Sequence, residues 1–524
     1  MATVSSLAGA HPTKDAHRGL SYSMHRVLKE LANLRESANS SSENEDAVHD
    51  LRVSLRRCRS IASVMEAVDT DPAWREMRQA GKKLFHGLGA LRDAQVLSNW
   101  VKSLAPADDP LAPAILRDLS EQEAPLHHGA HHAARKFDQK SWRRLEQTLR
   151  RRARLVPAGG PAAENLALES FEAVKEHHAR ALRTESAEPW HELRKSVKEF
   201  RYVIENFLPE HHARWREDLK RIQDLLGDIH DFDVLSDCVK AAKVPGAEAS
   251  RRIWRELLSH QRTTRVSEYR GLMTGAASLW SGWRHALPHG QRLRASAVAR
   301  LKSVARAADP RPRRSALDAR LAKALFSSLR RAKGGKVFAD VQSREILAEA
   351  ALLLNVHDSA GSKSSRTKSP QKAAYKFLAR MSAPPGIAAK DWRTLLAIVR
   401  YHRGAEPGDD SQAFAALSAD QRTVAQALAG TIRLARALRK IGLRSAVGFR
   451  AESTPEAIIL RVPGLPDTAE SAARTAAAKH LLETHLGKPL VLLAAPSLEP
   501  AEHLVIPPAS EEQPVLLPFA AASD

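Results

Sequence analysis

The chain has 524 residues, and its 81 Lys and Arg against 60 Asp and Glu give a formal net charge of +21. That excess favours a polyanionic partner, such as nucleic acid, an anionic membrane or a phosphate polymer. Aromatic residues make up 5% of the chain, which disfavours single-strand binding by base stacking. Two cysteines, Cys58 and Cys238, exclude a disulfide framework and a cysteine-ligated zinc site.

The first half of the chain reads as two similar sets of helices. Hydrophobic spacing and breaks at Asp71-Pro72, residues 106–113 and residues 156–161 place the helix boundaries. The first set is predicted at about 16–37, 48–68, 73–104 and 116–155. The second set is predicted at about 162–183, a helix around His191, 212–242 and 249–271. Short loops between such helices are typical of helical bundles.

One helix in each set carries the same row of cations. In the first set, His49, Arg52, Arg56 and Arg59 stand at i, i+3, i+7 and i+10, an arc of roughly 80° on a helix. His191, Arg194, Lys198 and Arg201 repeat these offsets in the second set. The repetition indicates an internal duplication that keeps a cationic surface.

The helix that follows is duplicated as well. Leu-Gly-x-x-x-Asp-x-x-Val-Leu begins at Leu88 and again at Leu226, and Lys82 corresponds to Lys220. Together with the His-x-x-Arg helices, these motifs resemble the conserved-histidine α-helical domain, CHAD. The resemblance covers about residues 10–275. It implies a pair of four-helix bundles, a basic groove or pore between them, and binding of inorganic polyphosphate.

Carried over position by position, the resemblance implies a set of polyphosphate contacts. They are His49, Arg52, Arg56, Arg57, Arg59, Lys82, Lys83, Arg92, His191, Arg194, Lys195, Lys198, Arg201, Tyr202, Lys220 and Arg221. The chemistry agrees, because a polymer of phosphates offers charge without base edges, and guanidinium forks bind phosphate oxygens in pairs. The two sets are not electrostatically equal, since Glu199 stands at the position that corresponds to Arg57.

The next two regions carry a different pattern. Residues 276–342 form a basic helical linker, for which an auxiliary polyanion patch is the alternative interpretation. Residues 343–441 are similar to the HD-type domain of exopolyphosphatases and guanosine pentaphosphate phosphohydrolases. Leu354-Asn355 replaces the His-Asp pair that would hold a metal there, and His357-Asp358 follows as a weak substitute. The family's His-rich loop is replaced by cations, Lys363, Arg366, Lys368, Lys372 and Lys376.

The predicted fold class is mainly all-α, with a CHAD-type pair of four-helix bundles, an HD-like helical domain and a small α/β appendage. The predicted domains are a flexible N-terminus at 1–15, CHAD at 16–275 with repeats at about 16–155 and 162–275, the linker at 276–342, the degenerate HD-like domain at 343–441, the appendage at 442–496 and a disordered tail at 497–524. In the appendage, strands are expected at 447–450, 457–462 and 489–493.

These observations favour a non-enzymatic protein that binds inorganic polyphosphate and associates with polyphosphate granules. Polyphosphate-metabolising enzymes are a further class of partner. Neither a cofactor nor a metal is predicted; the paired histidines at 127–132 favour adventitious metal affinity only. A cytoplasmic setting without membrane insertion is expected. The alternatives are a metal-dependent polyphosphate or nucleotide phosphohydrolase that uses the HD-like domain, and a nucleic-acid-binding protein.

Overall fold

The computed structural model describes residues 16–36, 41–357, 369–408 and 411–496. These residues are mainly helical, with one three-stranded sheet near the C-terminal end. The predicted class, mainly all-α with a small α/β appendage, is therefore confirmed. The described residues belong to two compact units, a first unit of 16–316 with 345–425 and a second unit of 317–344 with 426–496.

No helix in the described ranges has the length and apolar composition needed to cross a bilayer.

The first repeat contains more helices than the sequence predicts. Its helices are α1 (Ala16–Glu36), α2 (Ser41–Glu66), α3 (Pro72–Ala80), α4 (Lys82–Leu104), α5 (Leu111–Arg135) and α6 (Gln139–Arg152). Gly81 separates α3 from α4, and a Cβ there would lie 3.1 Å from Leu55 Cδ2. The predicted helix at 116–155 is divided because the Asp138 side chain accepts a hydrogen bond from the Ser141 N–H and starts α6.

The second repeat follows the predicted pattern closely. Its helices are α7 (Pro161–Ala181), α8 (Ala187–Phe207), α9 (Pro209–Ala241) and α10 (Glu248–Met273). Further helices follow: α11 (Leu279–Ala286), α12 (Gly290–Ala308), α13 (Pro312–Arg331), α14 (Lys336–Ala339), α15 (Val341–Leu352), α16 (Pro370–Leu378), α17 (Ala389–Tyr401), α18 (Gln412–Ala415) and α19 (Ala419–Lys440).

One hydrophobic cluster contains residues of both repeats. Residues from α4 and α5, among them Val101 and Leu111, belong to the same buried cluster as Phe232 of α9 and Trp254 of α10. A polar joint lies beside it, where Asp109 accepts hydrogen bonds from Ser250 Oγ and, at 2.8 Å, from Trp254 Nε1. The repeats are therefore held together by buried apolar surface and by a fixed carboxylate.

The second unit contains the sheet. Strand β1 (Arg450–Ser453) runs antiparallel to β2 (Ile458–Pro463), which runs parallel to β3 (Leu490–Ala495), and α20 (Ala469–Leu486) connects β2 to β3. The strand predicted at 447–450 is displaced toward the C-terminus, since β1 begins at Arg450 and ends at Ser453. Gly430 lets α19 approach α20, since a Cβ there would lie 2.9 Å from the Leu482 nitrogen.

Candidate functional site

The two helices that carry the duplicated cations, α2 and α8, are in contact within the first unit. Arg56 Nη1 donates a hydrogen bond to Tyr202 Oη at 3.1 Å. Arg57 Nη2 lies 2.5 Å from Glu205 Oε1 in an ion pair. The fold therefore brings the two copies of the motif together, although 142 residues separate His49 from His191 in the sequence.

Apolar stripes hold both helices in place. Leu51, Leu55 and Cys58 of α2 have no exposed surface. Val197 and Phe200 of α8 are likewise buried. Because the stripe faces the core, the cationic row of each helix lies at the edge of the packed surface. Arg52, Arg56, Arg194 and Lys198 are accordingly half-buried.

In the first repeat, α4 orients the cations of α2. Arg52 Nη1 donates to the carbonyl oxygens of Leu88 and Gly89 at 3.3 and 3.1 Å. The Arg52 guanidinium also lies 3.7 Å from Asp93 Oδ1. Arg52, Arg56 and Arg59 lie over the Phe85 ring, with guanidinium carbons 5.8, 5.8 and 4.9 Å from its centroid. One ring therefore supports three neighbouring guanidinium groups.

In the second repeat, α9 contacts the cationic row of α8 as α4 contacts that of α2. His191 Nδ1 lies 3.2 Å from His230 Nδ1, and Arg201 Nη1 donates to Gln223 Oε1 at 2.8 Å. Asp231 acts on Arg194 as a counter-charge, as Asp93 does on Arg52. Each of the duplicated aspartates therefore acts as a counter-charge to an arginine of the neighbouring cationic row.

The cations of the two repeats form one electrostatic group, here called the cationic cluster: Arg52, Arg56, Arg194 and Lys198. Burial, with the charges of Arg194 and Arg56 beside it, lowers the pKa of Lys198 to about 7, although Asp231 opposes this. Burial also lowers the pKa of Arg194, against the pull of Asp231 and Asp93. The cluster therefore holds more positive charge than its own carboxylates neutralise, a condition that an anion would relieve.

Two groups beside the cluster are also shifted. Burial and the nearby Arg194 and His191 lower the pKa of His230 to about 4. Burial raises the pKa of Asp231 to about 6, although Arg194 opposes it. Near pH 7, His230 is therefore neutral and Asp231 is ionised.

The other predicted contact residues differ in their exposure. His49, Lys82 and Lys83 are exposed in the first repeat, as are Lys195, Lys220 and Arg221 in the second. Arg92 is half-buried. Some cations already have protein partners: Arg59 donates to the Arg78 carbonyl at 3.3 Å, and Lys195 pairs with Glu192 of its own helix.

Sequence reasoning did not assign Phe85, His230 or Glu205 to this site. The sequence signal that points to α4 and α9 is the duplicated Leu-Gly-x-x-x-Asp motif, which identifies the helix that packs against each cationic row. Glu205 stands outside both motifs, so nothing in the sequence links it to Arg57.

The region of the predicted HD-like domain holds Leu354 in its core, with no exposed surface. Asn355 Nδ2 donates to Ser315 Oγ at 2.8 Å. Asp358, Lys363, Arg366 and Lys368 lie outside the described residues. Within the part of the chain that the structure describes, no three His, Cys, Asp or Glu side chains are grouped as metal ligands.

The first half of the chain matches a known family. Residues 23–240 match the model of the CHAD domain, and this stretch contains α2, α4, α8 and nearly all of α9. Over these residues, which make up less than half of the chain, the sequence is similar to the CHAD domain. No curated protein matches the chain. The resemblance of residues 343–441 to exopolyphosphatases stays a prediction.

Proposed function

We propose that the chain binds inorganic polyphosphate along a groove between α2 and α8, with the cationic cluster at its centre. The observation that carries the proposal is the convergence of two duplicated cationic rows on one electrostatic group. The known affinity of CHAD domains for polyphosphate supports the same ligand class.

The composition of the groove favours a phosphate chain over a nucleic acid. Its half-buried groups are guanidinium and ammonium groups, which recognise phosphate oxygens. Three guanidinium groups lie over the Phe85 ring, where a base would otherwise stack. The exposed His49, Lys82, Lys83, Lys195, Lys220 and Arg221 extend the basic surface for a longer chain.

Binding to a long polymer would also place the protein on polyphosphate granules and near the enzymes that make or degrade the polymer. Residues 343–441 would then act as a non-catalytic scaffold. Release of phosphate on addition of Mg²⁺ or Mn²⁺, abolished by changing His357 and Asp358, would instead assign a phosphohydrolase.

The test is a titration with long-chain polyphosphate at two salt concentrations, with duplex DNA as competitor. Because binding releases counterions, we expect affinity to fall steeply with salt, by about tenfold or more between 50 and 200 mM. DNA at the same charge concentration should not displace the polymer. Displacement by DNA would assign the groove to nucleic acid and contradict the proposal.

The pKa values predict that acid strengthens binding. A bound polyanion stabilises the ammonium form of Lys198, whose pKa is about 7 in the free protein. It likewise favours protonated His230 and neutral Asp231, so all three groups take up protons on binding. Protonation of Lys198 alone should therefore raise the affinity by up to about tenfold between pH 8 and pH 6. Lys198→Arg stays charged over this range and should flatten the profile; an unchanged slope in this variant would exclude Lys198 as the source.

A further inference from the structure

A second cluster of arginines lines a cavity in the second unit, remote in sequence from both CHAD motifs. The cavity has a volume of about 430 Å³ and is lined by Phe326, Ser327, Arg330, Arg331 and Arg344. Arg330 and Arg331 come from the last turn of α13, whereas Arg344 comes from α15. Two separate helices therefore bring three guanidinium groups to one cavity.

Among the residues that the structure describes, the lining includes no carboxylate that would neutralise these groups. Asp340 and Glu345, which flank Arg344 in the sequence, are engaged elsewhere. Asp340 Oδ2 accepts hydrogen bonds from the Ser343 nitrogen and hydroxyl at 2.7 and 2.8 Å. Glu345 Oε2 lies 3.0 Å from Arg294 Nη1. Three like charges that share a cavity repel each other unless an anion lies between them.

One of the three arginines is fixed by the fold. Arg331 Nη2 donates to Ser328 Oγ at 3.3 Å and to the Phe449 carbonyl at 3.0 Å. Arg331 also lines the neighbouring cavity of about 420 Å³, together with Arg450 and one carboxylate, Glu452. The cationic surface therefore continues past Arg331, where Glu452 offsets part of its charge.

The chemistry of the lining indicates the ligand. Guanidinium groups bind phosphoryl oxygens in a bidentate manner, and Ser327 adds a hydroxyl donor. The aromatic residue of the lining, Phe326, is 1% exposed, so it offers no stacking face to a base. We infer that this arginine cavity is a second anion site, which takes a short chain of phosphoryl groups and acts independently of the groove between α2 and α8.

The inference is tested by arginine footprinting of the full-length protein. Phenylglyoxal modifies free guanidinium groups, and peptide mass spectrometry gives the rate at each arginine. Tripolyphosphate should slow modification of Arg330, Arg331 and Arg344 at least threefold relative to chloride at equal ionic strength. Arg320, an exposed residue of the same helix α13, serves as the internal control and should react at an unchanged rate.

Substitution of one arginine distinguishes a specific binding site from general electrostatic screening by the added anion. Arg344→Gln should abolish the protection of Arg330 and Arg331, whereas Arg320→Gln should leave it intact. ATP in place of tripolyphosphate shows whether the phosphoryl chain can belong to a nucleotide. Equal protection by ATP would mean that the site also binds nucleotides, whereas protection by tripolyphosphate alone would assign an inorganic ligand. Unchanged rates at all three arginines, or equal slowing at Arg320, would overturn the inference. The modification rates of Arg56 and Arg194 in the same digests report on the groove separately. A failure of this inference is therefore distinguishable from a failure of the proposed groove.

Discussion

Reversing one charge at the centre of the groove, Arg56→Glu, is expected to weaken long-chain polyphosphate binding by at least tenfold, about 1.4 kcal/mol. Arg56 lies between the repeats: it donates to Tyr202 of α8, and its charge acts on Lys198 and Arg194. The substitution removes a hydrogen-bond donor for phosphate oxygens and places a carboxylate among the remaining cations. Arg56 is a better target than Arg52, whose guanidinium also satisfies two backbone carbonyls of α4.

The matched control for this prediction is Arg143→Glu. Arg143 is exposed on α6, and its reversal changes the net charge by the same amount. Polyphosphate affinity should change less than about twofold in this variant, and far-UV circular dichroism should match wild type in both. Equal weakening by the two substitutions would mean that the overall charge, rather than the groove, determines binding.

Removing the carboxylate that joins the repeats, Asp109→Ala, is expected to lower the free energy of unfolding of the first unit by about 2–4 kcal/mol. The Asp109 side chain accepts hydrogen bonds from Ser250, from Trp254 and, at 2.7 Å, from the Ala112 nitrogen. Trp254 is fully buried, so its indole N–H would lose its partner inside the shared core.

Urea unfolding followed by tryptophan fluorescence measures this loss. All nine tryptophans lie in the first unit, so the signal reports that unit alone. Asp237→Ala is the control, because Asp237 and its partner Lys240 are both exposed and such pairs contribute little. If Asp109→Ala unfolds at the same urea concentration as this control, the polar joint does not stabilise the repeats.

The same joint predicts a dependence on pH. Burial opposes ionisation of Asp109, but the hydrogen bonds from Ser250, Trp254 and Ala112 outweigh it and lower its pKa. A carboxyl with a lowered folded-state pKa stabilises the fold above its unfolded pKa of about 3.9. This contribution is lost as the pH falls through the folded-state value. The difference between wild type and Asp109→Ala should therefore shrink below about pH 4.

The sequence predicts this fold and site to different extents. The helical class and the two cationic rows follow from periodicity, because a row at i, i+3, i+7 and i+10 lies on one helix face wherever the helix packs. The contact between α2 and α8 does not follow, since 142 residues separate them and only tertiary packing brings them together. The breaks at Gly81 and Asp138 were missed because both positions interrupt otherwise continuous helical patterns.

The partners of the cationic side chains are likewise predicted only in part from the sequence. Asp93 and Asp231 are visible in the sequence as a duplicated pair, but only the fold identifies the arginines on which they act. The ion pair of Arg57 with Glu205 and the support that Phe85 gives to three arginines depend on side chains from different helices. The arginine cavity of the second unit is a similar case: the basic run of α13 is evident, but Arg344 joins it only because α15 folds beside it.

A crystal structure of the protein bound to a polyphosphate chain tests the central claim most directly. The proposal predicts the chain between α2 and α8, with phosphoryl oxygens in hydrogen-bond contact with Arg56 of one repeat and Lys198 of the other. A chain bound elsewhere, in contact with neither side chain, would contradict the assignment of the duplicated helices as the polyphosphate groove.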